Sequence, residues 1–193
     1  KSLDISIDMI KKAQEQGITD IVNTVHFQHP KVEGENINLD RMEKVRDVLL
    51  NEMLKNNLSI NIHLGAEVFY LPNLLSIADN PLTTFGSGKY MLIEFHPTNI
   101  PESHKTQLFD LKMKEITPII AHPERYIAVQ ENINIVSDWL EAGCIIQLDA
   151  GSILGYLGKR ARIASLEIIE NEWCQLIGSD AHDNKSRNFF LKD

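Results

Sequence analysis

Cysteine is scarce in this chain of 193 residues: Cys144 and Cys174 are the only two, far apart and each in apolar surroundings. A disulfide framework and a thiolate zinc centre are therefore excluded, and two buried free thiols in a reducing compartment are expected. Neither cysteine has an arginine six residues later, so the phosphate loop of a cysteine phosphatase is absent. Long apolar runs are also missing. None reaches the roughly 18 residues that a membrane span needs, and no signal peptide pattern is visible. Positive charge is short as well. The formal net charge of -8 argues against a nucleic-acid backbone as the main partner. It leaves open a phosphorylated substrate met by local arginines or metal ions. No repeat, low-complexity tract or linker interrupts the sequence, and 43% hydrophobic residues suit one globular domain with a real core.

What is present alternates. Helices are expected over residues 2–17, 38–57, 102–115, 132–143 and 158–172. Strands are expected over 20–26, 60–69, 90–95, 118–122, 144–150 and 175–180. Ser2 suits a helix N-cap and Gly17 a position just past the helix end. Short apolar strands alternating with helices imply a parallel sheet covered by helices. The chain enters on a helix with no strand before it. One more strand would make seven β/α units, which points to a barrel related to the TIM type.

The polar residues fall at one end of these strands. They are His26, Glu67, Glu94, His122, Asp149, and Asp180 with His182. Parallel barrels build their active sites at that end, from several strands. Buried carboxylates beside imidazoles are costly unless a charge compensates them. Mixed oxygen and nitrogen ligation suits Mn, Fe, Zn or Co hydrolytic centres, and more than four candidates imply more than one metal. Arg125 and Arg187 follow two of these strand ends. A guanidinium matches two phosphate oxygens, so an arginine pair beside metals points to phosphoester hydrolysis. Glu124 and Asp183 are the nearby acids that could instead pair with them. His29 and His96 are candidates for lining the pocket. His63 reads as a hydrogen-bonded structural residue, and His104 as solvent-facing on a surface helix.

The strings "TVHF", "GAEVFY", "LIEF", "IIAHPERY", "GSDAH" and "SRNFF" occur in this order. Together they resemble the PHP-type protein-tyrosine phosphatases of bacterial capsule and exopolysaccharide synthesis, of the kind called CpsB or YwqE. The resemblance runs from about Ser2 to Phe190. It implies a distorted (β/α)7 barrel with a trinuclear metal centre, often manganese or iron. His26, Glu67, Glu94, His122, Asp180 and His182 would be ligands, and Arg125 and Arg187 would bind phosphate. The implied substrate is the phosphotyrosine tail of a bacterial tyrosine autokinase that controls polysaccharide export. A cytoplasmic location and a capacity for self-association come with it. The family's opening strand, with its His-x-His pair and Pro-Gly-x-Asp-Asp-Gly-like loop, has no counterpart from Lys1 onward. Residues 1–193 are accordingly read as one PHP-type metallophosphoesterase domain cut short at its N-terminus.

The expected mechanism is in-line attack on phosphorus by a metal-activated hydroxide. Arg125 and Arg187 offset charge on the equatorial oxygens, and Asp180 or a histidine protonates the leaving tyrosyl oxygen. Two other readings stand beside it. One is a PHP phosphoesterase for a small ester such as histidinol phosphate. The other is a catalytically impaired barrel that binds the kinase.

Overall fold

The structure, a computed structural model, describes residues 2–32 and 38–192. Six strands form one sheet: β1 (Asp20–Phe27), β2 (Asn61–Phe69), β3 (Tyr90–Glu94), β4 (Thr117–Ala121), β5 (Ile145–Asp149) and β6 (Leu176–Gly178). They lie side by side in chain order, and every adjacent pair is parallel. Helices supply the crossovers that such a sheet requires. The main ones are α2 (Leu39–Lys55), α4 (His104–Met113), α6 (Asn134–Glu141) and α8 (Lys159–Glu170), while α1 (Leu3–Glu15) leads into β1. Short helices α3 (Leu74–Ile77), α5 (Ile127–Glu131) and α7 (Ala150–Leu154) and a 3-10 turn (Pro123–Arg125) fill the loops.

The six expected strands and five expected helices are all found, with ends shifted by at most two residues. The short helices and the 3-10 turn are too brief to leave a periodic signal in sequence. The capping signals hold. Ser2 Oγ accepts from Ile5 N, and Gly17 adopts a left-handed conformation just beyond α1.

Alternation along the strands builds the core. Val68, Ile93, Ile120 and Ile146 are register partners across β2 to β5, and all four are fully buried on the helix-covered face. Trp139 of α6 and Phe95 pack on this layer with parallel rings, 5.7 Å between centroids. Gly65 of β2 permits another close approach. A Cβ there would lie 2.0 Å from the Phe85 ring, so a side chain would displace it.

The opposite face curls around a cavity of about 760 Å³. Its lining includes Leu64, Leu92 and Gln147 along the wall and His26, Glu67, His122 and Asp180 toward one end. The outermost strands, β1 and β6, each have one neighbour in the sheet and both border this space. Apolar side chains remain exposed on both, with Val22 at 49% and Ile177 at 52%.

Two expectations about side chains are corrected. His104 does not face solvent. It is 6% exposed, its Nδ1 lies 2.7 Å from the Pro101 carbonyl, and its ring meets Phe95 and Trp139 edge-on. The loop before α4 folds its first turn onto the aromatic cluster, which no local pattern announces. Cys144 is buried as expected, whereas Cys174 is only partly covered; both are free thiols.

The aromatic layer sets a stability prediction. Trp139→Ala removes the largest fully buried side chain and should cost about 3–5 kcal/mol. Denaturant unfolding followed by circular dichroism checks this; a loss below about 1 kcal/mol would contradict the packing described.

Candidate metal and phosphate site

The parallel register brings the polar strand ends together. His26 of β1 sits beside Glu67 of β2, and Glu94 closes β3 one step further round. Ligand-type atoms of His26, Glu67 and Glu94 all lie within 4.8 Å of one another. His122 follows β4 and joins them. Its Nε2 is 3.1 Å from Glu67 Oε1 and 3.7 Å from Glu94 Oε1. His122 reaches this position with φ of 34°, in the left-handed region that residues other than glycine rarely adopt.

A second cluster follows β6. Asp180 also has positive φ, 39°. Its Oδ2 accepts from Arg125 at 2.8 Å and from the Arg187 guanidinium. His182 folds back, with Nδ1 2.7 Å from the Asp180 carbonyl, and its ring lies 6.0 Å from that of His26. Left-handed non-glycine residues also occur at helix ends and turns away from the site, at Asn57, Ser87, Glu115 and Glu172; His122 and Asp180 differ in that their side chains carry the donor groups.

The acids suggested as alternative arginine partners are otherwise engaged. Asp183 accepts backbone N–H groups from Lys185, Ser186 and Arg187, and the first and third of these bonds lead the effects that hold its carboxyl down at about 2. Glu124 lies fully buried beneath the turn, where its Oε1 accepts from Asp149 N. His63 pairs with Asp20 at 3.0 Å near the start of β1, consistent with the structural reading, although both side chains are more than half exposed.

One part of the mouth escaped the sequence reading. Gln28, with φ of 51°, exchanges amide hydrogen bonds with Asn73 and also donates to the Phe69 carbonyl. This clamp turns the chain so that His29 faces back into the site. His29 Nε2 stands 3.8 Å from Glu94 Oε2, and its ring contacts those of His26 and Phe69. His96 continues the row of rings outward from Phe69.

A family model for capsular polysaccharide synthesis proteins, CpsB/CapC, matches residues 1–193. The chain belongs to the CpsB/CapC family. The CapC protein of Staphylococcus aureus is 33% identical over 198 residues, covering 100% of this chain and 74% of CapC. The tyrosine-protein phosphatase YwqE of Bacillus subtilis is 30% identical over 189 residues, 97% of this chain and 73% of YwqE. A solved structure from work on YwqE and Streptococcus pneumoniae CpsB, described as metal-dependent tyrosine phosphatases, superposes with a TM-score of 0.89 at 29% identity. It covers 97% of this chain and 75% of that one.

In this CpsB/CapC chain the donor set fits divalent metal. Glu94 Oε2 and His122 Nδ1 are buried with no hydrogen-bond partner among the described residues. Mixed carboxylate and imidazole donors suit Mn, Fe, Co or Zn. The electrostatics agree. Burial pushes Glu94 up, and the neighbouring Glu67 charge adds to it, to about 7. Burial would raise Glu67 too, but the hydrogen bond and charge of His122 outweigh it and hold Glu67 below its usual value. Burial opposes a charge on His122, and Glu67 reverses that, so His122 is raised. The thiols are inert by comparison: burial pushes Cys144 up to about 12.

Glu94 carries a pH prediction for the metal-free chain. Its folded pKa lies above the unfolded value, so its contribution to stability is complete below about pH 4.5. That contribution is lost as pH rises toward about 7, because the unfolded carboxyl releases its proton first. Glu94→Gln should therefore flatten the decline in unfolding free energy between pH 4.5 and 7. Urea titrations of both proteins in EDTA measure it, and parallel pH profiles would refute the assignment.

Proposed function

We propose that this chain is a metal-dependent phosphatase that removes phosphate from the tyrosine tail of a bacterial tyrosine kinase in capsular polysaccharide synthesis. The observation that carries the proposal is the convergence of Arg125 and Arg187 on Asp180 beside the His26, Glu67, Glu94 and His122 cluster. Two guanidiniums at one point beside a cluster of metal-type donors suit a tetrahedral dianion. The family and the named tyrosine phosphatases among its members support the choice of substrate.

Divalent metal held by these residues with Asp180 and His182, most simply manganese, would supply Lewis-acid charge and lower the pKa of an attacking water. The chain does the rest. Arg125 and Arg187 bind the phosphoryl oxygens and offset the charge that grows on them. Asp180 gathers both arginines, and a rim histidine hands a proton to the leaving tyrosyl oxygen. Edge-on rings of His29, Phe69 and His96 form a wall on which an aromatic leaving group can lie. Cysteine takes no part, because the Cys144 thiol keeps its proton.

The reading also includes a seventh strand. Both edge strands run parallel, and both border the central cavity. A strand between β6 and β1 carrying His-x-His would close a (β/α)7 barrel and add two imidazoles to the cluster. Metal content and p-nitrophenyl phosphate turnover of residues 1–193 should both rise when a strand carrying His-x-His is fused ahead of Lys1. Equal values in the two proteins would sink the seventh-strand proposal.

Chelation should abolish turnover of phosphotyrosine peptide, and manganese should restore it. Arg187→Ala should lower kcat/KM by about 10²-fold or more. Full activity in EDTA would overturn the metal assignment. Faster turnover of histidinol phosphate than of phosphotyrosine peptide would replace the proposed substrate.

A further inference from the structure

Asp149 ends β5 with its side chain 3% exposed. Three interactions fix it. Its Oδ1 accepts from Gly151 N at 2.7 Å, which caps α7. Its backbone N donates to Glu124 Oε1 at 3.2 Å, tying β5 to the turn that carries Arg125. Its Oδ2 stands 3.6 Å from Arg125 Nη1 and has no hydrogen-bond partner among the described residues. Glu124 is itself held, because Gln130 Nε2 donates to its carbonyl at 2.8 Å. The guanidinium of Arg125 is thus flanked by one acid on a rigid strand end and by Asp180 on the loop after β6.

Arg187 differs. Among the described residues its side chain forms an ion pair with Asp180 alone. Both guanidiniums meet Asp180 at Oδ2, so Arg187 depends on that one atom, whereas Arg125 keeps a second anchor in Asp149.

We infer that Asp149 is a positioning residue that holds the Arg125 guanidinium over the site mouth, so that this arginine is preorganised for the phosphoryl group by an anchor separate from Asp180. The inference rests on the proposed phosphate-binding role of Arg125. Preorganisation matters because an arginine side chain that must be ordered at each encounter weakens binding. The competing explanation is that Asp149 only caps α7.

The variants Asp149→Asn and Asp149→Ser separate the two. Both keep an oxygen that caps a helix well, and both remove the carboxylate facing Arg125. In manganese-supplemented buffer, the dissociation constant of inorganic phosphate by calorimetry and the KM for p-nitrophenyl phosphate should rise together, by about 5- to 20-fold. The kcat should change by less than about threefold. In an Arg125→Lys background the same substitutions should add little further loss. Weaker phosphate binding in Arg125→Lys with unchanged binding in both Asp149 variants would overturn this inference alone. Unchanged binding in Arg125→Lys, or no phosphate binding by the unaltered chain, would overturn the site reading and this inference with it. Failure of both Asp149 variants to fold would show that Asp149 is a structural cap and would also overturn it.

Discussion

Two carboxylates and several imidazoles share one poorly solvated mouth, and that electrostatic constraint organises the rest of the structure. Glu67 and Glu94 sit on neighbouring strands with little access to water. Burial resists charge on both, and each makes ionisation of the other harder. The chain resolves this unequally. His122 stabilises the charged form of Glu67, while Glu94 holds its proton up to about pH 7. A cluster with this imbalance is poised for a cation, which would satisfy the unpartnered Oε2 of Glu94.

A parallel sheet is what makes the constraint possible. Its strands end on the same side, so residues far apart in sequence arrive at one mouth. The sheet's other face contributes rigidity. The fully buried row from Val68 to Ile146, with Phe95 and Trp139 behind it, leaves the strand ends little room to shift. Against that rigid layer the chain sustains left-handed backbone at His122 and Asp180. Such conformations are costly and persist where surrounding packing over-determines them. The same logic applies to Gln28, whose amide exchange with Asn73 holds His29 toward Glu94.

Much of this was legible in the sequence because it depends on local patterns. Strand and helix alternation, the ligand-type residues at strand ends and the two arginines each leave a signal within a few residues. The error at His104 fell where the partners come from distant elements. His104 opens a charged helix, and its burial depends on Phe95 and Trp139. Arg125 and Arg187 have acids beside them in sequence, yet both reach Asp180 instead. Asp183 is held by backbone donors and Glu124 lies beneath the turn, so neither was available.

The sequence by itself determined the α/β class, the six strands and the identity of the chemical groups at the mouth. It could do so because apolar periodicity and residue chemistry are properties of short segments. Only the tertiary structure decided which groups pair. It joined Glu67 to His122, gathered both arginines on Asp180, and brought His29 and Asp149 to the site. Those pairings depend on strand register and on the curl of the sheet, which are set by packing between segments and not by any one of them.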